Sequence, residues 1–375
     1  MQTIRWRVMA LICLGLLAAC SGEVLTTSAP TEPPPLATAT PRPTSTPATT
    51  PTRVLAIPDV PEADRFVFEQ NARLGRGVNL GNALEAPTEG EWGVTLQESY
   101  FDLIRQAGFN SVRVPIRWNA HAQADPPYTI DPAFFDRVDW VVQQATQRNL
   151  AVVLNIHHYE EIMTNPEEHE QRFLSLWDQI ARHYKNAPDS VFFELLNEPN
   201  GKITIFSWNP FALEAMQVIR ESNPNRTIIL GPGNWNSISN LYELKLPSNE
   251  RNVIVTVHYY LPFPFTHQGA EWVDGADAYL GTKWSASKTE TYTVDKDFDV
   301  AASWSAKNHR PIYLGEFGAY SKADQDSRHL WTAYVARAAE SRGFSWAYWE
   351  FCAGFGVYNP DRADWITPIL SALIP

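Results

Sequence analysis

The chain has 375 residues, more than an ordinary domain needs but within the range of a single α/β barrel. Its formal net charge of −12 at neutral pH disfavours nucleic acid and other polyanions and suits a neutral polymer. With 14 Trp, 14 Tyr and 18 Phe it carries many flat rings able to stack on the C–H faces of sugars, although most of them must serve the core.

At the start of the chain, Arg5 and Arg7 precede an apolar run from Val8 to Ala18, too short to span a bilayer and shaped like a secretory signal. The run closes on Leu17-Ala18-Ala19-Cys20-Ser21, which resembles the lipobox of bacterial lipoproteins. That resemblance implies a signal over 1–19, cut before Cys20, which then carries the lipid. Ordinary signal cleavage at nearby small residues is the alternative. Ser21, where an aspartate would favour inner-membrane retention, is compatible with surface exposure. Loss of Arg5 and Arg7 with the signal makes the net charge −14. Residues 20–53 read as a disordered linker, because Pro, Thr and Ser fill 20 of the 27 positions from 26 to 52. Such a chain extends at about 3.1 Å per residue, a tether of roughly 80 Å at most. With Cys13 in the signal and Cys20 at the lipobox, Cys352 stands alone in the remaining domain and no internal disulfide is expected there.

From residue 54 to 375, short β-branched or apolar runs ending in polar groups alternate with helical patterns. The runs lie at 76–82, 111–116, 151–157, 191–197, 227–231, 253–258, 312–316 and 344–350. Between them, Phe134, Val138, Val141, Val142 and Ala145 recur at helical spacing within 131–149, with Asp131-Pro132 as an N-cap and first-turn proline. Trp331, Tyr334, Val335 and Ala338 do the same within 324–342. Eight strands with helices between them predict an α/β fold, a (β/α)8 TIM barrel forming one catalytic domain. A doubly wound open sheet would call for a glycine-rich phosphate loop after the first strand, and none is present. The connection from 259 to about 297 is long, carries Phe263, Phe265, His267, Trp272 and Trp284, and is expected to form a substrate-facing wall.

Barrel enzymes carry their catalytic groups at the C-terminal ends of strands. Phe192, Phe193, Leu195 and Leu196 lead to Asn197, Glu198 and Pro199, and Ile312, Tyr313 and Leu314 lead to Glu316. Gly315 and Gly318 flank Glu316, a pattern read as letting substrate approach the backbone. A pair of carboxyl groups facing each other suits chemistry on a glycosidic bond. His157-His158, with Glu160 and Glu161 nearby, invites a metal reading. Adjacent strand residues point to opposite faces, however, and no further ligand pattern accompanies them, so no metal or other cofactor is expected and sugar-hydroxyl binding is preferred.

Asn197-Glu198-Pro199, with Glu316 on the seventh strand, resembles the glycoside hydrolases that hold catalytic glutamates on strands four and seven. Asn79-Leu80-Gly81-Asn82-Ala83-Leu84-Glu85, Arg113-Val114-Pro115-Ile116-Arg117-Trp118, Asn155-Ile156-His157-His158-Tyr159, His258-Tyr259-Tyr260 and Trp346-Ala347-Tyr348-Trp349-Glu350 narrow the resemblance to family 5, in a bacterial branch acting on β-1,4-glucans and often mannans. The resemblance runs from about Phe66 to the C-terminus. It implies a retaining mechanism with Glu198 as acid/base and Glu316 as nucleophile. The Glu198 pKa is then expected to be raised, with help from the Glu316 charge. In that scheme Arg113 is expected to orient Glu316, Tyr260 to donate to it and His258 to join the network, Asn197 to bind the sugar 2-hydroxyl, and Asn82, Glu85, His157 and His158 other hydroxyls. Trp349 is expected as the platform at the cleaved sugar, with Trp235, His267 and Trp272, and then Trp92 and Trp118, as walls.

The expected activity is that of a retaining endo-β-1,4-glucanase with some action on β-mannan, monomeric and held at the cell surface or outside the cell by lipid alone. A dedicated endo-β-1,4-mannanase or xyloglucanase is the alternative within hydrolases. A non-catalytic carbohydrate-binding surface lipoprotein is the alternative from another class, and the presence of both glutamates speaks against it.

Overall fold

The computed structural model describes residues 60–375; the signal, Cys20 and the linker lie outside the described residues. Eight parallel strands close into a barrel, each paired to the next and the first to the last. They are β1 (Arg76–Asn79), β2 (Ser111–Val114), β3 (Ala151–Asn155), β4 (Val191–Glu194), β5 (Ile228–Leu230), β6 (Val253–Tyr259), β7 (Ile312–Phe317) and β8 (Ser345–Tyr348). All eight runs read from the sequence are strands, and the chain is a (β/α)8 TIM barrel.

The sequence pattern outlasts the ladder at several C-terminal ends. Leu80, Ile116, Ile156, Leu195 and Leu196 are buried and apolar but lie beyond the paired strands, where the chain turns across the barrel mouth. Asn82, His158 and Glu198 complete these turns with left-handed backbone, at φ 63°, 50° and 46°. Non-glycine residues carry this conformation at a cost, and it gathers where a site needs side chains aimed in particular directions.

Strand alternation sorts the side chains into two shells. Val153, Phe192, Ile229, Ile254, Tyr313 and Ala347 fill the lower barrel interior, closed by Val67, Phe68 and Leu74 of the helix Glu62–Leu74. Val112, Val152, Leu154, Phe193 and Leu314 point outward and pack on the surrounding helices. One step further up the interior, the inward positions become polar: Asn79, Arg113, Asn155 and Glu194 are all fully buried. The apolar lower layer therefore supports a polar upper one, and the latter forms the floor of the site.

Helix Pro132–Gln147 buries Phe134, Val138, Val141, Val142 and Ala145, and the Asp131 carboxylate accepts from the Ala133 N–H at 2.9 Å. Helix Gln325–Ser341 is capped in the same way by Asp324, which accepts from the Ser327 N–H at 3.1 Å. The connection after β6 is shorter than the sequence suggested, because helix Lys288–Asn308 begins well before Asp297. Its first turns are rich in Thr, a poor helix former. The available signal was the reciprocal cap between Ser287 and Glu290. Within this connection Trp284 is a core residue packed near Tyr334, not a wall residue. Trp118 is likewise buried and donates to the Asn155 carbonyl at 3.0 Å, so it belongs to the core and not to the cleft. Cys352 is buried and free.

The pairing of β6 with β7 slips by one residue, Val257 opposite Leu314 and His258 opposite Glu316, leaving Gly315 as a bulge. A side chain at Gly315 would collide with Thr256 Oγ1, and one at Gly318 with the Trp349 carbonyl oxygen. Both glycines answer to close protein packing and not, as expected from the sequence, to the approach of substrate. Gly318→Ala should lower stability by about 1–3 kcal/mol, the usual cost of overpacking, because the obstructing atom is backbone. Thermal unfolding checks this, and an unchanged melting temperature would contradict the packing account.

Candidate active site

Arg113, on β2, reaches across the barrel with its whole guanidinium engaged. It donates to both Glu194 oxygens from Nε at 2.6 Å and Nη2 at 2.7 Å, and to Glu316 Oε1 from Nη1 at 2.6 Å. It also reaches Asn79 Oδ1 at 2.9 Å and Asn197 Oδ1 at 2.8 Å. Arg113 and Glu194 are fully buried, so their pairing is interior and not a surface salt bridge. Such a fork fixes geometry as well as charge. Glu316 receives a second donor, the Tyr260 hydroxyl, at 2.9 Å from Oε2. Burial and the Glu316 and Glu198 carboxylates push that phenol well above its ordinary pKa, so it remains a donor.

Glu198 stands on the opposite side of this floor. His258 Nδ1 lies 2.7 Å from its Oε1 and 3.7 Å from Glu316 Oε2. Burial depresses the His258 pKa to about 4, so the ring is neutral at ordinary pH. With the Asn236 amide donating to Nε2 at 3.3 Å, the imidazole proton belongs on Nδ1 and points at Glu198. The Glu198 pKa is raised to about 7, chiefly by desolvation at the bottom of the cleft, although its side chain keeps 24% exposure. The Glu194 and Glu160 carboxylates add to the rise, and Arg113 and His158 oppose it. One oxygen each of Glu198 and Glu316, and one nitrogen of His258, lie within 4.8 Å of one another.

These groups open into a cleft of about 1360 Å³. Asn82, Glu85, His157, His158, Asn197, Trp235, His267, Trp272 and Trp349 all line it, as does Trp92. Arg113 lies beneath it. Trp349 is half-buried and stacks on His157 at 5.7 Å, whereas Trp235 and Trp272 are more than half exposed. His267 stacks on Phe263 at 4.2 Å, and Trp272 meets Tyr320 edge-on at 4.9 Å. His157 and His158 were expected on opposite faces. Both line the cleft, 4.6 Å apart, because β3 ends at Asn155 and His158 already lies in a left-handed turn. Among the described residues, the group able to gather three metal-ligating atoms is not this pair but Glu198, His258 and Glu316. There the Arg113 cation already sits 2.6 Å from Glu316.

Sequence reasoning assigned no role to Glu194, Asn79, Asn155 or Asn236. The usable signal for Glu194 was a charge at an inward register position, alternating with Phe192 on a strand that has no exposed face. Asn155 holds the imidazole of His157 by its amide at 3.1 Å, and Asn79 donates to the Gly315 carbonyl behind Glu316 at 3.0 Å.

Two facing carboxyl groups at the C-terminal ends of β4 and β7, over a floor of buried charge and under aromatic walls, define the class of barrel-fold glycosidases. The model for Cellulase (glycosyl hydrolase family 5) matches residues 75–354, and the chain belongs to that family. It is 38% identical over 312 residues to endoglucanase H of Acetivibrio thermocellus, which covers 82% of this chain but only 33% of that protein. It is 29% identical over 330 residues to endoglucanase B of Clostridium cellulovorans, covering 80% of this chain and 73% of that one. The chain therefore spans about a third of the length of the first relative and about three-quarters of the second. Crystal structures of Thermotoga maritima Cel5A with mannotriose and with cellobiose superpose with a TM-score of 0.81 at 55% identity, over 82% of this chain and 99% of theirs.

Three buried or partly buried carboxyl groups and three such histidines make the fold's stability depend on pH in opposite directions. Burial raises Glu85 to about 8, and Glu350 and Glu198 to about 7, so the folded state holds their protons more tightly than the unfolded chain. Their contribution is complete below the unfolded value of 4.5 and is lost as pH climbs to 7 and 8. Burial lowers His258 and His267 to about 4, and His157 well below 6.5, so their contribution grows with pH and is complete above 6.5. From pH 6.5 to 8 the histidine term has little left to add while the carboxyl term falls through most of its range, so the melting temperature should fall across that window. A rising or level melting temperature there would contradict the assignment.

Proposed function

We propose that this protein is a retaining endo-β-1,4-glucanase that also accepts β-mannan, with Glu198 as acid/base and Glu316 as nucleophile. The observation that carries the reading is the separation of the two carboxyl groups. Oxygens within 4.8 Å suit the spacing of about 5–5.5 Å that lets one carboxylate attack carbon directly, and fall short of the roughly 6.5–9.5 Å over which an inverting enzyme seats a water beside the sugar.

The environments divide the labour. Glu316 is met only by donors, Arg113 and Tyr260, which suits an acceptor-only carboxylate aimed at the anomeric carbon. Glu198, at about 7, holds its proton at mildly acidic pH. Because His258 Nδ1–H already occupies Oε1, that proton sits on Oε2 and passes to the leaving glycosidic oxygen as Glu316 forms the glycosyl–enzyme bond. Glu198, now a carboxylate, next takes a proton from water as its oxygen attacks the same carbon and releases Glu316. Asn197, held by Arg113 through its oxygen, has its amide left to donate toward the sugar 2-hydroxyl. Trp349 serves as the platform for the ring being cleaved, with Asn82, Glu85, His157 and His158 binding hydroxyls on its side of the cleft. Trp235, Trp272 and His267 wall the leaving side.

The names of the relatives and the mannotriose and cellobiose complexes of Cel5A support a glucan substrate with tolerance for mannan. The reading extends to a monomer exported by the 1–19 signal, anchored outside the cell by lipid on Cys20 and tethered by the 20–53 linker. Its support is the sequence alone, since those residues lie outside the described ones.

The experiment is hydrolysis of mixed-linkage glucan, carboxymethylcellulose, glucomannan, galactomannan and xyloglucan, with Glu316→Gln as control. Cleavage of the glucans, with glucomannan attacked as well and the control inert, is expected. Activity retained by Glu316→Gln would refute the nucleophile assignment, and cleavage of mannan or xyloglucan alone would replace the glucanase reading.

A further inference from the structure

The cleft is longer than the catalytic reading requires. Besides its floor and aromatic walls, it is lined by Ser237, Ile238 and Ser239 from the segment after β5, and by Tyr259, Asp297 and Val300. Tyr259 follows the inward-facing His258 on β6, so by strand alternation its ring points out of the barrel, where it meets Phe298 edge-on at 5.0 Å. Asp297 and Val300 lie three apart on helix Lys288–Asn308 and so share a face of it. Lining residues on the outer side of β6 mean that the cleft passes over the barrel rim. An arm of it lies between this helix and the short 3-10 helix Ile238–Glu243.

The arm is furnished like a sugar site. Asp297 is half-buried, and its Oδ2 accepts from the Tyr259 hydroxyl at 3.1 Å. Among the described residues, its Oδ1 accepts from no protein group. A carboxylate oxygen in a partly desolvated pocket is a strong acceptor for hydroxyls. Ser237 and Ser239 bring a pair of hydroxyls 2.9 Å apart, and Ile238 and Val300 add small apolar surfaces. A few convergent polar groups among apolar ones is the composition of a specific small-ligand pocket. The carboxylate would repel an anionic ligand, and beside it the Ser237 and Ser239 hydroxyls suit an occupant rich in hydroxyls.

We propose that this arm is a subsite for a neutral pyranose on the leaving-group side of the scissile bond, with Asp297 accepting from its hydroxyls. The proposal rests on the glycosidase reading, which places Trp235 and the segment after β5 on that side. The pyranose can be a further unit of the main chain or a branch sugar carried by it; both present the same vicinal hydroxyls.

The test compares the native protein with Asp297→Asn, which keeps an acceptor for Tyr259, and with Val300→Trp, which fills the arm. Three substrates separate the cases: 4-nitrophenyl β-cellobioside, whose leaving group is a single aryl ring; linear cellopentaose; and a branched oligosaccharide of the same backbone length. Both variants should keep kcat/KM on the aryl cellobioside within about twofold and lose about tenfold on a longer substrate. Loss on cellopentaose assigns the arm to the main chain, and loss on the branched substrate alone assigns it to the branch. Equal change on all three substrates, or none on any, overturns the subsite. Failure of the native protein to cleave any of them, with Glu316→Gln making no difference, would instead overturn the glycosidase reading.

Discussion

A guanidinium buried in the middle of a barrel has no water to fall back on, so every one of its N–H groups must find an acceptor there. Arg113 meets this demand with Glu194, Glu316, Asn79 and Asn197, four residues brought in by strands β1, β4 and β7 and the turn after β4. A misplaced strand would leave a buried charge unpaired, a loss on the order of 3–5 kcal/mol. The same contacts that satisfy Arg113 set the position of the Glu316 carboxylate and the orientation of Asn197. The barrel's closure and the geometry of its reactive end are thus tied to one side chain.

Above this floor the protein separates two chemically identical groups by their surroundings. Glu316 is surrounded by donors, and Glu198 lies where desolvation outweighs the Arg113 field. His258 stands between them, neutral because it is buried, and so adds an oriented hydrogen bond without adding charge. Left-handed turns at Asn82, His158 and Glu198, and the Gly315 bulge, aim the side chains that regular strands would have spaced two residues apart.

Much of this was legible in the sequence because the constraints are local. Each strand announces itself by a run that is apolar on both faces, as buried parallel strands must be, and Glu198 and Glu316 sit where such runs end. What escaped depended on register between distant strands. Glu194 looks like any strand residue until the closed barrel sets β4 one strand away from β2, where it faces Arg113 across the interior. The pairing of His157 with His158 on one side of the cleft depended on β3 stopping at Asn155, while the apolar pattern continued through Ile156. Trp118 and Trp284 could not be told from cleft tryptophans by type, since burial is set by what packs over them. The first turns of helix Lys288–Asn308 were hidden by their threonines, although their cap was written at Ser287 and Glu290.

The central claim is that the fork of Arg113, and not merely its charge, holds the reacting carboxylate in place. Arg113→Lys keeps the charge and removes the fork, so kcat/KM on a soluble β-glucan, measured beside a near-ultraviolet circular dichroism check of the fold, tests it most directly. A loss of at least about 10²-fold in a folded variant is expected, the scale of a misplaced reacting group. Activity within about threefold of the native protein would contradict the account.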